Sequence, residues 1–215
     1  MAPISNDAAF WSKRSRKYAA NPIGDMDGYL NTLERTKSYL KPGDTALEIG
    51  CGTGSTALLL APHVKHITAT DIAPGMIEIA NEKLVEEGLN NVTFAVAEVK
   101  DHSTDDSPYD VVMAHNLLHL VTDLDSALAH IRALVKPGGL FISKTVCAPY
   151  NAGLKFALIR YIAIPIMQAI GKAPFVEFMS ANALEGKIKA AGFKIIETGD
   201  QNGMLLSRYL VVRKA

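Results

Sequence analysis

A short apolar run that ends on three glycines at alternate positions leaves a chain few ways to fold. Ala46-Leu47-Glu48-Ile49-Gly50-Cys51-Gly52-Thr53-Gly54 is such a run, and Ile67-Thr68-Ala69-Thr70-Asp71 follows it. The pattern predicts a strand, a tight glycine turn, a helix and a second strand that ends on an acidic residue about 20 positions further on. That is the spacing of a βαβ unit whose turn approaches a nucleoside. Without a Cβ, Gly50, Gly52 and Gly54 let the backbone turn sharply and come close to a ligand that a side chain would hold off. Asp71, at the end of the second strand, is placed to accept both hydrogen bonds of a ribose diol.

The glycine spacing separates candidate ligands. Dinucleotide folds favour G-x-G-x-x-G, with a pyrophosphate at the helix N-terminus. Here the spacing is G-x-G-x-G, and Glu48 stands two residues before the first glycine. A carboxylate there repels a pyrophosphate and suits a ligand that carries an ammonium and a sulfonium, so a nicotinamide-dependent oxidoreductase is disfavoured. At these residues the chain resembles the class I S-adenosylmethionine-dependent methyltransferases. Glu48 to Gly54 is similar to the first motif of that family, and Asp71-Ile72-Ala73-Pro74-Gly75-Met76 to its acidic ribose motif.

The resemblance implies S-adenosylmethionine as cofactor and S-adenosylhomocysteine as product. It assigns Glu48, Gly50, Cys51, Gly52, Gly54, Asp71, Ile72 and Met76 to cofactor binding, Cys51 as part of the loop and with no chemistry of its own. At the end of the third strand Ala97-Glu98-Val99 stands where the family often has Gly-Asp-Ala. There Glu98 would accept from the adenine amino group and Val99 would offer a backbone N–H. Otherwise Glu98 is a solvated strand-end carboxylate. Tyr18, in the aromatic and cationic run Phe10 to Tyr18, lies where small bacterial members fold a Tyr over the cofactor. The alternative is that Trp11 and Tyr18 pack the first helix on the domain.

The rest of the chain alternates between strand and helix patterns. Helices are expected over residues 7–40, with Asp25 as an N-cap and Met26, Leu30, Leu33 and Leu40 on one buried face. Strands are expected at 45–49, 66–70, 92–99, 110–114, 140–146, 193–198 and 208–213. Helices lie between them at 55–60, 74–87, 124–135 and 181–191. This is a single α/β domain, a doubly wound Rossmann-like sheet with its ligand at the carboxyl ends of the strands. Its parts are cap helices 1–40, a cofactor core 41–146, an insert or lid 147–180 and a C-terminal unit 181–215. By the resemblance the sheet has seven strands with the last antiparallel.

Composition removes several function classes. With 22 basic and 22 acidic residues in 215, no basic field exists to hold a nucleic-acid backbone. Cys51 and Cys147, the only cysteines, provide neither a disulfide framework nor a metal cluster, which fits a cytoplasmic protein without a metal site. The first residues carry no apolar signal segment. After the fourth strand comes Ala114-His115-Asn116-Leu117-Leu118-His119-Leu120, without the Asn/Asp-Pro-Pro-aromatic motif that clamps a nucleic-acid adenine or a protein glutamine. The acceptor is therefore expected to be a small molecule. His115 and His119 are the candidate catalytic bases, or else hydrogen-bond the loop, and Asn116 is a candidate contact to the methionine part of the cofactor.

The insert Asn151 to Gly171 is apolar nearly all round, yet Lys155, Arg160 and Pro165 interrupt it before it reaches the roughly 20 residues of a membrane span. As a lid it would set Phe156, Tyr161 and Met167 against an apolar or amphipathic acceptor. A homodimer surface and a peripheral membrane contact are the competing readings, so the chain is expected as monomer or homodimer. Two functional alternatives accompany methyl transfer to O, N or S of a small acceptor. One is a membrane-surface phospholipid or quinone methyltransferase, and the other a non-catalytic S-adenosylmethionine-binding protein.

Overall fold

A computed structural model describes residues 5–103, 109–202 and 205–215. Seven strands form one sheet in the order β3-β2-β1-β4-β5-β7-β6. They are β1 (Thr45–Ile49), β2 (His66–Asp71), β3 (Val92–Val96), β4 (Tyr109–His115), β5 (Val135–Cys147), β6 (Phe193–Asn202) and β7 (Leu206–Lys214). Only β7 runs against its neighbours, inserted between β5 and β6 as expected. Connections from β1 lead outward through β2 to β3, whereas β4 and β5 lie on the other side. The carboxyl ends of β1 and β4 therefore flank the point where the winding reverses.

Helices cover both faces of the sheet. On one face α5 (Leu124–Leu134) turns Leu124, Leu128 and Ile131 inward, joined by Leu184 and Ile188 of α8 (Ala181–Ala190). These side chains meet Phe141 and Phe193, whose rings lie 5.6 Å apart. The opposite face packs Leu58 and Leu60 of α3 (Ser55–Leu60) and Ile77 of α4 (Pro74–Glu87) on Ile67, Phe94 and Met113. Each fully buried side chain of this size contributes about 1.5–3 kcal/mol, so both layers are needed to hold the central strands.

Two helices precede the sheet, α1 (Asn6–Ala20) and α2 (Met26–Lys37). Asp25 caps α2 as expected, accepting from Gly28 N at 2.9 Å. The buried face of α2 is not the expected one. Met26 and Leu30 are exposed, while Thr36 is buried and Tyr29 and Leu33 are half-buried. The helix is rotated because its polar groups have partners on α3 and β7: Tyr29 Oη lies 3.3 Å from Thr56 Oγ1, and Thr36 Oγ1 lies 3.3 Å from Tyr209 Oη.

Two strand boundaries also differ from expectation. β3 stops at Val96, because Glu98 caps a 3₁₀ turn over Val99–Asp101 in a reciprocal capping box with Asp101. β5 begins at Val135, five residues early. Its register against β4 slips between Tyr109 and Val111, and the intervening turn carries Gly138 at φ 74°.

Candidate functional site

The glycine loop between β1 and α3 has the conformation that its residues imply. Gly50, Gly52 and Gly54 adopt φ of 70°, 54° and 77°. A Cβ on Gly50 would stand 2.8 Å from Leu117 Cδ1, and one on Gly54 would stand 2.6 Å from Phe94 Cζ. Packing thus explains two of the three. A Cβ on Gly52 would meet nothing within 4 Å, so that position keeps a space open beside the backbone. Lys83 of α4 supports the loop from outside, donating to Thr53 Oγ1 at 3.1 Å and Ser55 Oγ at 2.9 Å.

Asp71, at the end of β2, ties this loop to the next. Its Oδ2 accepts from Gly52 N at 3.0 Å and its Oδ1 from Ala73 N at 2.9 Å. Burial raises the Asp71 pKa against these two bonds, which lower it. Each oxygen keeps a second lone pair for a ligand hydroxyl. The Cys51 thiol is pushed well up by burial and by the Glu48 and Asp71 carboxylates, so it is no nucleophile.

Glu48 supplies the most telling feature. β1 is a central strand, hydrogen-bonded to β2 and β4 and covered on both faces, so Glu48 is 2% exposed. Glu48 is registered opposite Met113, which puts His115, two residues on, on the same side of the sheet. His115 Nδ1 lies 3.3 Å from Glu48 Oε1, and His115 Nε2 lies 3.4 Å from Thr36 Oγ1. Glu48 Oε2 is buried and has no hydrogen-bond partner. A buried carboxylate oxygen left unmatched is costly to a fold and is free to accept from a ligand donor.

Of the two candidate bases, His115 lies between Glu48 and Thr36. His119 sits in the 3₁₀ turn Leu118–Leu120, where its carbonyl accepts from Glu177 N at 2.7 Å. Burial lowers its pKa to about 4, so the imidazole is neutral at pH 7. Its buried Nδ1 has no partner.

Comparison with known proteins agrees with this geometry. The methyltransferase domain family matches residues 47–141, from β1 into β5. The ubiquinone/menaquinone biosynthesis C-methyltransferase of Teredinibacter turnerae is 32% identical over 136 residues, 60% of this chain and 55% of that protein. A highly reducing polyketide synthase of Alternaria alternata is 33% identical over 135 residues, 58% of this chain and 4% of the synthase. This chain thus spans about half the length of the first and a small part of the second. In fold it superposes on the N-methyltransferase NodS of Bradyrhizobium japonicum, crystallised with S-adenosyl-L-homocysteine. The TM-score is 0.72 at 16% identity, over 98% of this chain and 99% of that one. Residues 47–141 thus resemble a methyltransferase domain, and the chain has the fold of such an enzyme.

The remaining site residues expected of a methyltransferase fall at the same end of the sheet. Asn116 follows β4 with φ 55°, the one non-glycine residue at positive φ among the described residues, and its N–H donates to Lys144 O at 2.7 Å. Such a conformation in a non-glycine residue is a mark of functional positions. Asn116 lines a cavity of about 300 Å³ with Ile23, Asp25, Tyr29, Lys144, Gln201, Leu205 and Ser207. Lys144 has its pKa lowered by burial, with Asp25 opposing. Tyr29 and Lys144 are not among the residues expected from the sequence; the signal for Lys144 is a charge between Ser143 and Thr145 in the second half of β5.

Met76 is buried at the start of α4 and Ile72 is half-buried beside it. Val99 packs against the core. Glu98 takes part in the capping box and lies 3.0 Å from Lys100 Nζ. Helix α1 reaches α4 through Ser12 Oγ, which accepts from Gly75 N at 3.2 Å. That contact brings Tyr18, edge-on to Trp11 at 6.3 Å, to the site. The protein around the Tyr18 phenol and the Asp71 carboxylate raise its pKa, although much of the ring stays exposed. Among the described residues no cluster of His, Cys, Asp and Glu can hold a metal ion, and no helix is long and apolar enough to cross a membrane.

Proposed function

We propose that the chain transfers a methyl group from S-adenosylmethionine to an O, N or S atom of a small amphipathic acceptor by in-line displacement. The buried, unpartnered Glu48 Oε2, at the end of the strand that leads into the open Gly52 turn, carries this reading. It is a buried acceptor at the place where the cofactor's ammonium would lie, with Asp71 at the reach of a ribose. S-adenosylmethionine supplies a sulfonium methyl, which the acceptor lone pair attacks as the carbon–sulfur bond breaks, leaving S-adenosylhomocysteine.

The protein's own part is binding and alignment. Asp71 holds the ribose diol, Glu48 the ammonium, and Asn116 the boundary between the methionine end and the cavity. The cavity would seat the acceptor, with Ile23 and Leu205 against its apolar part and Lys144 near its polar part. Aligning two reactants and excluding water supply much of the acceleration in such a displacement. His119, whose buried Nδ1 has no partner, is the candidate base for an acceptor that arrives protonated. A panel of thiols, phenols, amines and carboxylates, read by release of S-adenosylhomocysteine, tests the proposal. Turnover of a member supports it, and binding without turnover of any of them points to the non-catalytic alternative.

A further inference from the structure

The insert after β5 is helical from 154 to 169, in three consecutive pieces: α6 (Leu154–Leu158), a π-helical stretch (Ile159–Ala163) and α7 (Ile164–Ala169). Its inner stripe is Phe156, Arg160, Ile164 and Gln168, one residue in four, each half-buried. The Phe156 ring meets Phe178 at 5.6 Å, and Gln168 Nε2 donates to Pro174 O at 2.9 Å. The outward side carries Leu154, Tyr161 and Ile170, 78%, 68% and 58% exposed, with Leu158, Ile162, Ile166 and Met167 also exposed.

A surface helix of a water-soluble domain turns its apolar stripe in and its polar stripe out. Here Arg160 and Gln168 lie on the half-buried stripe with Phe156 and Ile164, while most of the apolar side chains lie outward. Tyr161 and Met167, expected to cover an acceptor, are exposed, and the cavity beside Asn116 is lined by none of the insert. Exposed apolar surface of this extent marks a contact with another apolar phase.

Charge selects which phase. From Ser126 to Val176 the sequence holds no Asp or Glu, while exposed Lys155 and Lys172 flank the outer face, and Arg160 lies over the Tyr161 ring at 5.2 Å. A second copy would bring like charges together. An anionic lipid surface neutralises them. The segment is too short to span a bilayer, so it lies in the plane. We propose that residues 154–170 dock this protein on an anionic membrane surface, the outer apolar side chains entering the interfacial layer and Lys155 and Lys172 at headgroup level.

Flotation of the full chain with vesicles of mixed phosphatidylglycerol and phosphatidylcholine, and of phosphatidylcholine alone, tests this. The wild type is expected to float with the anionic vesicles and to lose binding as salt rises. Two variants divide the contribution: Ile162→Ser with Ile166→Ser removes apolar contact, and Lys155→Glu with Lys172→Glu reverses charge. Each pair should weaken partitioning by roughly tenfold or more. All these side chains are exposed, so unchanged circular dichroism is expected of both variants. The proposal is overturned if the wild type stays unbound, or if both variants float as it does. It is also overturned if sedimentation shows a stable wild-type dimer that the isoleucine variant converts to monomer, which would make a second copy the partner.

Discussion

Replacing Glu48 by Gln keeps the shape of the side chain and removes the charge that the site presents to a ligand ammonium. Oε1 has His115 Nδ1 at 3.3 Å, whereas Oε2 has no protein partner, so the loss falls mainly on ligand binding. Hydrogen bonds to charged groups contribute about 1.5–3 kcal/mol. A loss of about 2 kcal/mol weakens S-adenosylhomocysteine roughly 30-fold. With ligand at about 100 times the wild-type Kd, binding stabilises the wild type by about 2.7 kcal/mol. The variant at the same concentration keeps about 0.9 kcal/mol. For a chain of this size that difference lowers the ligand-induced rise in Tm by roughly 4–7 °C. The ligand-free variant should melt close to the wild type, because Gln keeps an oxygen for His115 Nδ1 and alters only the atom without a protein partner. Thermal shift and calorimetric titration read both quantities. A folded variant that binds S-adenosylhomocysteine within threefold of wild type refutes the assignment of the ammonium to Glu48.

Three more outcomes are expected. Asp71→Ala should weaken S-adenosylhomocysteine at least ~10-fold and also lower unfolding stability by about 1–3 kcal/mol, since Gly52 N and Ala73 N both lose their acceptor; unchanged urea midpoint and affinity together would refute this. Gly54→Ala should destabilise far more than Gly52→Ala, because only the former drives a methyl into Phe94, while both pay about 1–2 kcal/mol for positive φ; Gly52→Ala should instead lose ligand binding, and equal melting temperatures would contradict the reasoning. His119 takes up no proton in the native state until about pH 4, whereas the unfolded chain takes one up near 6.5, so stability falls as pH falls through that window. At about 1.36 kcal/mol per pH unit the span amounts to on the order of 3 kcal/mol, and His119→Gln should flatten the dependence in urea unfolding between pH 7 and pH 4; an unaltered slope would refute it.

The elements that the sequence made legible are those whose residue types are forced locally. Positive φ at Gly50, Gly52 and Gly54, the Asp25 cap, and the alternation of strand and helix follow from short-range rules, whereas the inserted antiparallel β7 is what the family resemblance implies. What periodicity states is which residues share a face, not which neighbour that face meets. The rotation of α2 was missed for this reason, since Tyr29 and Thr36 are drawn inward by Thr56 and Tyr209 from distant parts of the chain. The neighbour of His115 could not be named from the sequence because Glu48 lies 67 residues away, across a strand pairing that the sequence does not display. The insert was legible as apolar, but its inverted orientation depends on Phe178 and Pro174 receiving Phe156 and Gln168.

Calorimetric titration of the purified wild-type chain with S-adenosylhomocysteine, and separately with NAD, tests the central claim most directly. The arrangement of Glu48, Gly52 and Asp71 predicts saturable one-to-one binding of S-adenosylhomocysteine and no heat with NAD beyond dilution. Saturable binding of NAD with no response to S-adenosylhomocysteine would contradict it.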